Sequence, residues 1–268
     1  MHNGERYEAN LPFNSNPQGL LPSNYQLCSS RLNSLIKKLR ANPSLLAEYD
    51  AIIREQLETG IIERVDKGAE QQENCHFMPH HCVVRQDHDT TKVRIVFDGS
   101  ARESKQTPSL NDLLALGENF MPHLFDTIIR FRSHSIGQTG DLQKALHQIS
   151  INASDRDFLR FLWVDDVAKS EPAVVQLRFC RLPFGLKPSP SILGATLDKH
   201  ASLFENREPH IAQIIKSMYA DDLSCGADSA NAVLEIMHKA KAIMKQAGFN
   251  LCKFKSNDPE VRSEIAKF

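Results

Sequence analysis

The chain has 268 residues, of which 41% are hydrophobic and 24% are charged, and its formal net charge is -1. A chain of this length and composition can bury a substantial core, in one domain with lobes or in two domains. The charge balance is that of an ordinary soluble protein and excludes an overall basic character, so any nucleic-acid-binding track must be local.

Membrane and secretory signals are missing from the sequence. No apolar run approaches the roughly 20 residues that span a bilayer, and residues 1–6 lack the apolar core of a signal peptide. The six cysteines are scattered without a Cys-x-x-Cys pair, so we expect reduced thiols inside a cell. Histidines and cysteines at 75–76 and 80–82 lack the paired spacing of structural zinc sites. A strand with its flanking loop is the favoured interpretation there, and a metal site is the alternative.

The N-terminal part of the chain predicts an extended segment followed by two helices. Residues 1–27 are rich in Asn, Pro and Ser, which is typical of an extended lead-in. An amphipathic pattern predicts a helix from 29 or 30 to 40. A second helix starts at Asn42-Pro43, with Asn as its cap and Pro at its first position, and stops before Gly60. A short strand follows at 61–65.

The middle of the chain alternates between strands and irregular segments. Turn residues between 81–86 and 92–97 predict a β-hairpin. An apolar helix is expected near 121–132. The segment 135–141 reads as a strand that delivers Asp141 at its end. A second pair of apolar strands is expected at 158–164 and 173–182.

The C-terminal part predicts two helices separated by a tight hairpin. The first helix runs from Ser189 to about Phe204. Strands at 214–220 and 223–226 would form the hairpin, with two aspartates at its tip. The second helix begins after Asp228 or Ser229 and ends at Gly248. Because strands and helices do not alternate strictly along the chain, the order favours an α+β fold over a doubly wound parallel sheet.

Asp221 and Asp222 at the hairpin tip are candidate metal ligands. Adjacent carboxylates can be directed at one site, and Asp141 at the exit of another strand is the natural third. Phosphoryl transfer needs metal ions that clamp the attacking and leaving oxygens, and magnesium prefers such hard oxygen ligands. Asp-Asp pairs are also common in plain turns, and we assign no function to the pair at 165–166. The apolar strands on both sides of the tip favour the metal site.

Four segments in one order resemble reverse transcriptases, most closely those of Bel/Pao-type long-terminal-repeat retrotransposons. They are a fingers strand at 92–101, the first catalytic palm motif at 140–149, the Leu-Pro-Phe-Gly-Leu-Lys-Pro-Ser-Pro segment at 182–190 and Tyr-Ala-Asp-Asp at 219–222. The segment at 248–257 resembles the Bel/Pao stretch after the palm helix, and 54–60 weakly resembles the entry to the fingers. The resemblance extends over nearly the whole chain from about residue 10.

The resemblance implies an α+β right-hand polymerase with fingers, palm and a mainly antiparallel palm sheet. An N-terminal lead-in at 1–27 would precede fingers at 28–134 and a palm at 135–268, with fingers elements near 155–182 interleaved. The thumb and ribonuclease H regions are not in the sequence. The implied reaction is Mg²⁺- or Mn²⁺-dependent addition of deoxynucleotides to a primer on an RNA or DNA template. Implied partners are primer–template, deoxynucleoside triphosphates and a parent polyprotein, in the cytoplasm or in virus-like particles.

The resemblance also implies roles for individual residues. Asp141, Asp221 and Asp222 would hold two divalent ions, with the backbone carbonyl of Leu142 as a further ligand. Lys253 would donate a proton to the pyrophosphate, a role for which Lys255 competes. Residues that would contact the incoming nucleotide are Lys92 and Arg94 at the triphosphate, Phe184 against the nucleotide, Gly185 at a close backbone approach and Leu146 at the sugar.

Several positions depart from the family pattern. Leu146 stands where the family usually has an aromatic residue that excludes the ribose 2′-hydroxyl. Cys252 and Phe254 stand in place of the expected Arg and Trp. Without a thumb, many of the salt-sensitive phosphate contacts of a polymerase are missing.

Two other functions remain open on the sequence. One is a truncated or domesticated non-catalytic relic that binds nucleic acid, which the missing thumb favours and the three retained carboxylates oppose. The other is a different palm-fold enzyme such as a nucleotidyl cyclase, which the fingers hairpin and the Pro-Phe-Gly-Leu segment oppose.

Overall fold

A computed structural model describes residue 2 and residues 4–65, 74–84 and 93–267. The helices are α1 (Tyr25–Arg40), α2 (Pro43–Glu58), α3 (Leu110–Leu113), α4 (Leu124–Arg132), α5 (Ser189–Ser202), α6 (Pro209–Lys216), α7 (Ala230–Gln246) and α8 (Pro259–Ile265). The strands are β1 (Glu8–Ala9), β2 (Ile62–Arg64), β3 (His80–Val84), β4 (Val93–Phe97), β5 (Ile136–Leu142), β6 (Ser150–Ile151), β7 (Arg160–Val164), β8 (Val174–Phe179), β9 (Asp222–Ala227) and β10 (Leu251–Ser256). Short 3-10 helices lie at Ala145–Gln148 and Ala153–Leu159. No helix in the described part of the chain is long and apolar enough to cross a membrane.

The predicted α+β class is confirmed. Helices and strands are mixed along the chain, and the larger sheets pair their strands antiparallel. The chain divides into two compact units: the first comprises Met1–Glu8, Gly117–Ile149 and Pro190–Phe268, and the second comprises Ala9–Leu116 and Ser150–Ser189. The structure therefore groups 117–134 with β5, whereas the sequence analysis assigned that stretch to the fingers.

The first unit is built around a three-stranded antiparallel sheet in the order β10-β5-β9. Helix α7 packs on all three strands, and its buried face places apolar residues at the spacing of an amphipathic helix. Ser229 caps its start by accepting a hydrogen bond from the backbone N–H of Ala232, and Gly248 follows its end with a φ of 78°. The predicted start and end of α7 are both confirmed. They could be predicted because helix caps depend on local residue types.

The second unit contains the sheet β2-β8-β7 and the hairpin β3-β4. Its core is aromatic: Trp163 stacks on Tyr49 with ring centroids 5.0 Å apart and donates to Asp50 Oδ1 over 3.0 Å. His80 is buried and hydrogen-bonded to the Leu162 carbonyl and the Tyr49 hydroxyl. Both ring nitrogens of His80 are thus engaged, and the ring packs among aromatic side chains, so His80 is a core histidine.

The predicted strand at 214–220 is wrong. Its first residues belong to α6, which ends at Lys216, and the others lie in the segment between α6 and β9. Pro209 occupies the first turn of this helix, where a missing N–H has no cost. Ile211, Ala212 and Ile215 form its buried face, which packs on α7 and β9. A short apolar run fits either a helix or a strand by its pattern, and here the packing decides for the helix. Helix α1 also begins earlier than expected, at Tyr25.

Gly185 holds the 182–190 segment against β4 within the second unit. Its φ is 95°, and a Cβ added there would stand 2.2 Å from the backbone oxygen of Phe97. Its own carbonyl accepts a hydrogen bond from Asn111 Nδ2 at 3.0 Å. The position therefore excludes a side chain twice, by backbone conformation and by lack of space.

We expect Gly185→Ala to destabilise the protein strongly and Gly60→Ala to destabilise it mildly. Gly60 also has a positive φ, of 64°, but nothing lies within 4 Å of its added Cβ. The left-handed conformation costs an alanine roughly 1–2 kcal/mol, and overlap in a packed site adds typically about 1–3 kcal/mol. Urea unfolding of both variants measures the difference. Equal losses would show that the Phe97 contact contributes nothing.

Candidate active site

Asp141 and Asp222 face each other across two neighbouring strands. β5 and β9 are antiparallel, and their register places Asp141 directly opposite Asp222. Residues that are directly opposed in such a pair have Cβ atoms roughly 4.5–5.5 Å apart, and like charges there are destabilising. The sheet thus maintains a contact that electrostatics alone opposes, which is typical of a functional site.

A tight turn places Asp221 beside this pair. Tyr219 and Asp222 exchange two backbone hydrogen bonds of 3.0 Å, and Ala220, the first of the two central residues of the turn, takes a φ of 56°. Glycine is the usual residue for that conformation, so Ala220 is mildly strained. The backbone N–H of Leu142 donates to the Asp221 carbonyl over 2.9 Å, which ties the turn to the end of β5.

The electrostatics of the site favour binding of a cation. Partial burial, and then the charges of Asp221 and Asp141, raise the pKa of the Asp222 carboxyl above its usual value. The nearby Lys253 ammonium lowers this pKa and only partly offsets the other causes. Additional positive charge beside Asp222 would therefore favour the ionised form of its carboxyl.

Lys253 forms an ion pair with Asp141. Its Nζ lies 2.6 Å from Asp141 Oδ2, and this hydrogen bond is the largest cause that raises the pKa of Lys253. Lys253 lies in β10 at an irregularity between Cys252 and Lys255, and its φ is 52°. In this conformation of the protein, one of the candidate metal ligands is engaged by an ammonium group.

The donor chemistry of the site fits Mg²⁺ or Mn²⁺. Carboxylate oxygens at 141, 221 and 222 and a backbone carbonyl at 142 are hard ligands of the kind these ions prefer. Their backbone positions on adjoining strands also suit a shared ion. The carboxylates are not gathered into a closed set of three ligands anywhere in the described chain. The site thus fits these ions in the type of its donor atoms and in the backbone positions of the residues that carry them. The Asp141 side chain itself is hydrogen-bonded to Lys253.

Leu146 lies in the 3-10 helix Ala145–Gln148 that follows β5 in the first unit. The residue is 6% exposed, and its carbonyl accepts a hydrogen bond from the Ile149 N–H at 3.0 Å. The aliphatic side chain of Leu146 is therefore packed against its neighbours in this segment.

The other sequence-predicted nucleotide contacts belong to the second unit. Arg94 lies on the exposed side of β4, opposite Val83 in the hairpin register. Phe184 is 54% exposed, in contrast with its buried neighbours Leu182 and Pro183. Lys92 lies outside the described residues, as does the loop of the predicted hairpin.

Asn111 is a connecting residue that the sequence analysis did not identify. Its Nδ2 donates to Ser100 Oγ at 2.9 Å and to the Gly185 carbonyl, while its Oδ1 accepts from the Lys187 N–H at 2.8 Å. One amide side chain thus joins the segment after β4 to the Pro-Phe-Gly segment. In the sequence, the only sign of this role is the position of the asparagine close after the Ser109 helix cap. Such a residue is usually interpreted as part of an ordinary turn.

The chain matches the family described as reverse transcriptase (RNA-dependent DNA polymerase) over residues 86–259. The matched stretch is more than half of the chain and contains β5, the 219–222 turn and β9. No curated protein matches the chain.

Solved structures of foamy viral enzymes share the fold. The foamy viral protease–reverse transcriptase in complex with an RNA/DNA hybrid aligns with a TM-score of 0.56 and 19% identity, over 79% of this chain and 23% of that chain. Its dRH form with double-stranded DNA aligns at 0.56 and 19%, over 76% and 30%. The CSH mutant of the prototype foamy virus enzyme aligns at 0.57 and 18%, over 78% and 24%. The chain spans less than a third of the length of each of these proteins.

The family match covers the strands and the turn that carry all three aspartates, and the structural matches have the same mixed fold. The match also argues against a nucleotidyl cyclase. The chain belongs to the reverse transcriptase (RNA-dependent DNA polymerase) family.

Proposed function

We propose that this chain is the polymerase part of a retrotransposon polyprotein and adds deoxynucleotides to a primer on an RNA or DNA template. The observation that carries the proposal is the opposition of Asp141 and Asp222 across β5 and β9, with Asp221 in the adjoining turn. A Bel/Pao-type element is the source that the segments at 140–149 and 248–257 resemble most. The fingers and palm of that enzyme correspond in this proposal to the second and first units.

The carboxylates of Asp141, Asp221 and Asp222 and the carbonyl of Leu142 would hold two ions, Mg²⁺ or Mn²⁺. Bound there, the ions supply activation of the primer 3′-hydroxyl and neutralisation of the triphosphate. The protein contributes by fixing the ligands on two hydrogen-bonded strands, so that little reorganisation is needed during the reaction. Lys253, once released from Asp141, would carry a proton to the leaving pyrophosphate.

Further residues would contact or position the incoming nucleotide in this proposal. Arg94 and Lys92 would bind the triphosphate, because charge-assisted hydrogen bonds suit phosphate oxygens. Phe184 would pack against the incoming nucleotide, and this residue is 54% exposed. Gly185 contributes by bringing this segment against β4. Leu146 would face the sugar.

Primer–template, deoxynucleoside triphosphates and a parent polyprotein are the proposed partners. The solved relatives include complexes with an RNA/DNA hybrid and with double-stranded DNA. Those relatives are also several times longer than this chain, which supports a polyprotein as its context.

A non-catalytic relic that binds nucleic acid is the second candidate. The specific observation in its favour is Leu146, an aliphatic residue at the position that the family usually fills with an aromatic one. Absence of any primer extension by the wild-type chain would favour this alternative.

We expect Asp141→Asn and Asp221→Asn each to reduce primer extension by at least about a thousandfold, because each removes a charged oxygen ligand. Extension of a labelled DNA primer on RNA and DNA templates, with Mg²⁺ and with Mn²⁺, measures the loss. Asp228→Asn is the matched control, since that carboxylate is 79% exposed, lies beside His134 and follows the opposite end of β9 from Asp222. Undiminished extension by either test variant contradicts the assignment.

We expect Leu146→Phe to lower the ratio of ribonucleotide to deoxynucleotide incorporation by about tenfold, because a larger side chain narrows the space for a 2′-hydroxyl. Single-nucleotide incorporation with matched ribo- and deoxynucleoside triphosphates measures the ratio. Leu146→Met conserves volume and controls for repacking of this buried position. An unchanged ratio in Leu146→Phe, with deoxynucleotide incorporation intact, removes Leu146 from the sugar site.

A further inference from the structure

In the proposed metal site, the carboxylate of Asp141 must be free to bind an ion. In this structure it is hydrogen-bonded to Lys253 instead. Lys253 Nζ lies 2.6 Å from Asp141 Oδ2, and the two side chains are 55% and 27% exposed. A bound divalent ion and this ammonium group would compete for the same carboxylate, because both are cations that seek the same oxygen atoms.

We propose that Lys253 is a positioning residue that holds Asp141 in the metal-free protein, gives way when a divalent ion binds, and thereby sets the affinity of the site for that ion. The inference rests on the proposed function, because it assumes that Asp141 is a metal ligand.

The strand that carries Lys253 is irregular at the point where this contact requires it. Cys252 pairs with Asp141 and Lys255 pairs with Thr139, so β10 has one residue more than β5 between these two pairs. In a regular antiparallel pair, the residue after Cys252 would point to the other face of the sheet from Asp141. The extra residue and the left-handed φ of 52° at Lys253 turn its side chain back toward Asp141. Bulges near active sites commonly re-aim a side chain in this way.

The residue after Lys253 explains how the bulge is held. Phe254 lies over Gly140, where an added Cβ would stand 2.9 Å from the phenylalanine ring. Gly140 therefore leaves the space that the ring fills, and the ring anchors the bulged strand on β5. Since Gly140 directly precedes Asp141, the same local packing positions both partners of the ion pair.

The ion pair also balances charge while no metal is bound. Asp221 and Asp222 adjoin Asp141, and the Lys253 ammonium is the positive charge that acts on Asp222 against the other two carboxylates. A divalent ion supplies this balance itself, so Lys253 becomes dispensable to Asp141 and can turn to an anionic group such as a phosphate. One lysine would then act in two successive states of the site.

Lys253→Met tests this inference through metal affinity. Removing the competing cation should tighten Mn²⁺ binding on the order of tenfold, as measured by isothermal titration calorimetry or by electron paramagnetic resonance of free Mn²⁺. Lys255→Met is the matched control: it removes the same charge from the same strand, but its residue pairs with Thr139. We expect its affinity to stay within about twofold of wild type. Lys253→Arg retains a cation and should bind Mn²⁺ with about wild-type affinity.

The outcomes separate this inference from the proposed function. Mn²⁺ binding by the wild-type chain that is lost in Asp221→Asn supports the metal site itself. With that site established, an Mn²⁺ affinity of a folded Lys253→Met that is unchanged or weaker overturns the role of Lys253 alone. An equal gain in Lys255→Met also overturns it, since the effect would then be one of net charge. Absence of Mn²⁺ binding in wild type and in Lys253→Met overturns both.

Discussion

The opposition of two carboxylates across β5 and β9 is the constraint on which the candidate site depends. Backbone register places Asp141 against Asp222, and a turn with reciprocal Tyr219–Asp222 hydrogen bonds adds Asp221. Like charges at this distance repel, so the arrangement must be imposed by the sheet and the helix beneath it. The packing of α7 on all three strands supplies that support.

Local departures from regular backbone geometry orient residues near these carboxylates and in the second unit. Ala220 adopts a conformation that normally belongs to glycine, and Lys253 does so within a bulge. In the second unit, Gly185 allows the 182–190 segment to approach Phe97, while Asn111 secures that segment with two hydrogen bonds and binds Ser100 with a third. Strain of this kind is retained where a particular placement matters more than local stability.

The nearly neutral net charge of the chain also bears on its proposed function. A net charge of -1 leaves little excess of basic residues for gripping nucleic acid. The site instead concentrates negative charge, and Lys253 provides a local counterion. The three proposed side-chain ligands of the metal are carboxylates, which are the kind of donor that Mg²⁺ and Mn²⁺ prefer.

The sequence by itself determined the elements whose ends are specified by neighbouring residues, and it led to the prediction that Asp141, Asp221 and Asp222 are metal ligands. The cap of α2 at Asn42-Pro43 and both ends of α7 could be predicted because capping is a local interaction. Tertiary structure alone decided that 209–216 is a helix, because its apolar residues fit either periodicity until they pack on α7 and β9. It also decided the pairing of Lys253 with Asp141, because an inserted residue in β10 reverses the direction that strand alternation predicts.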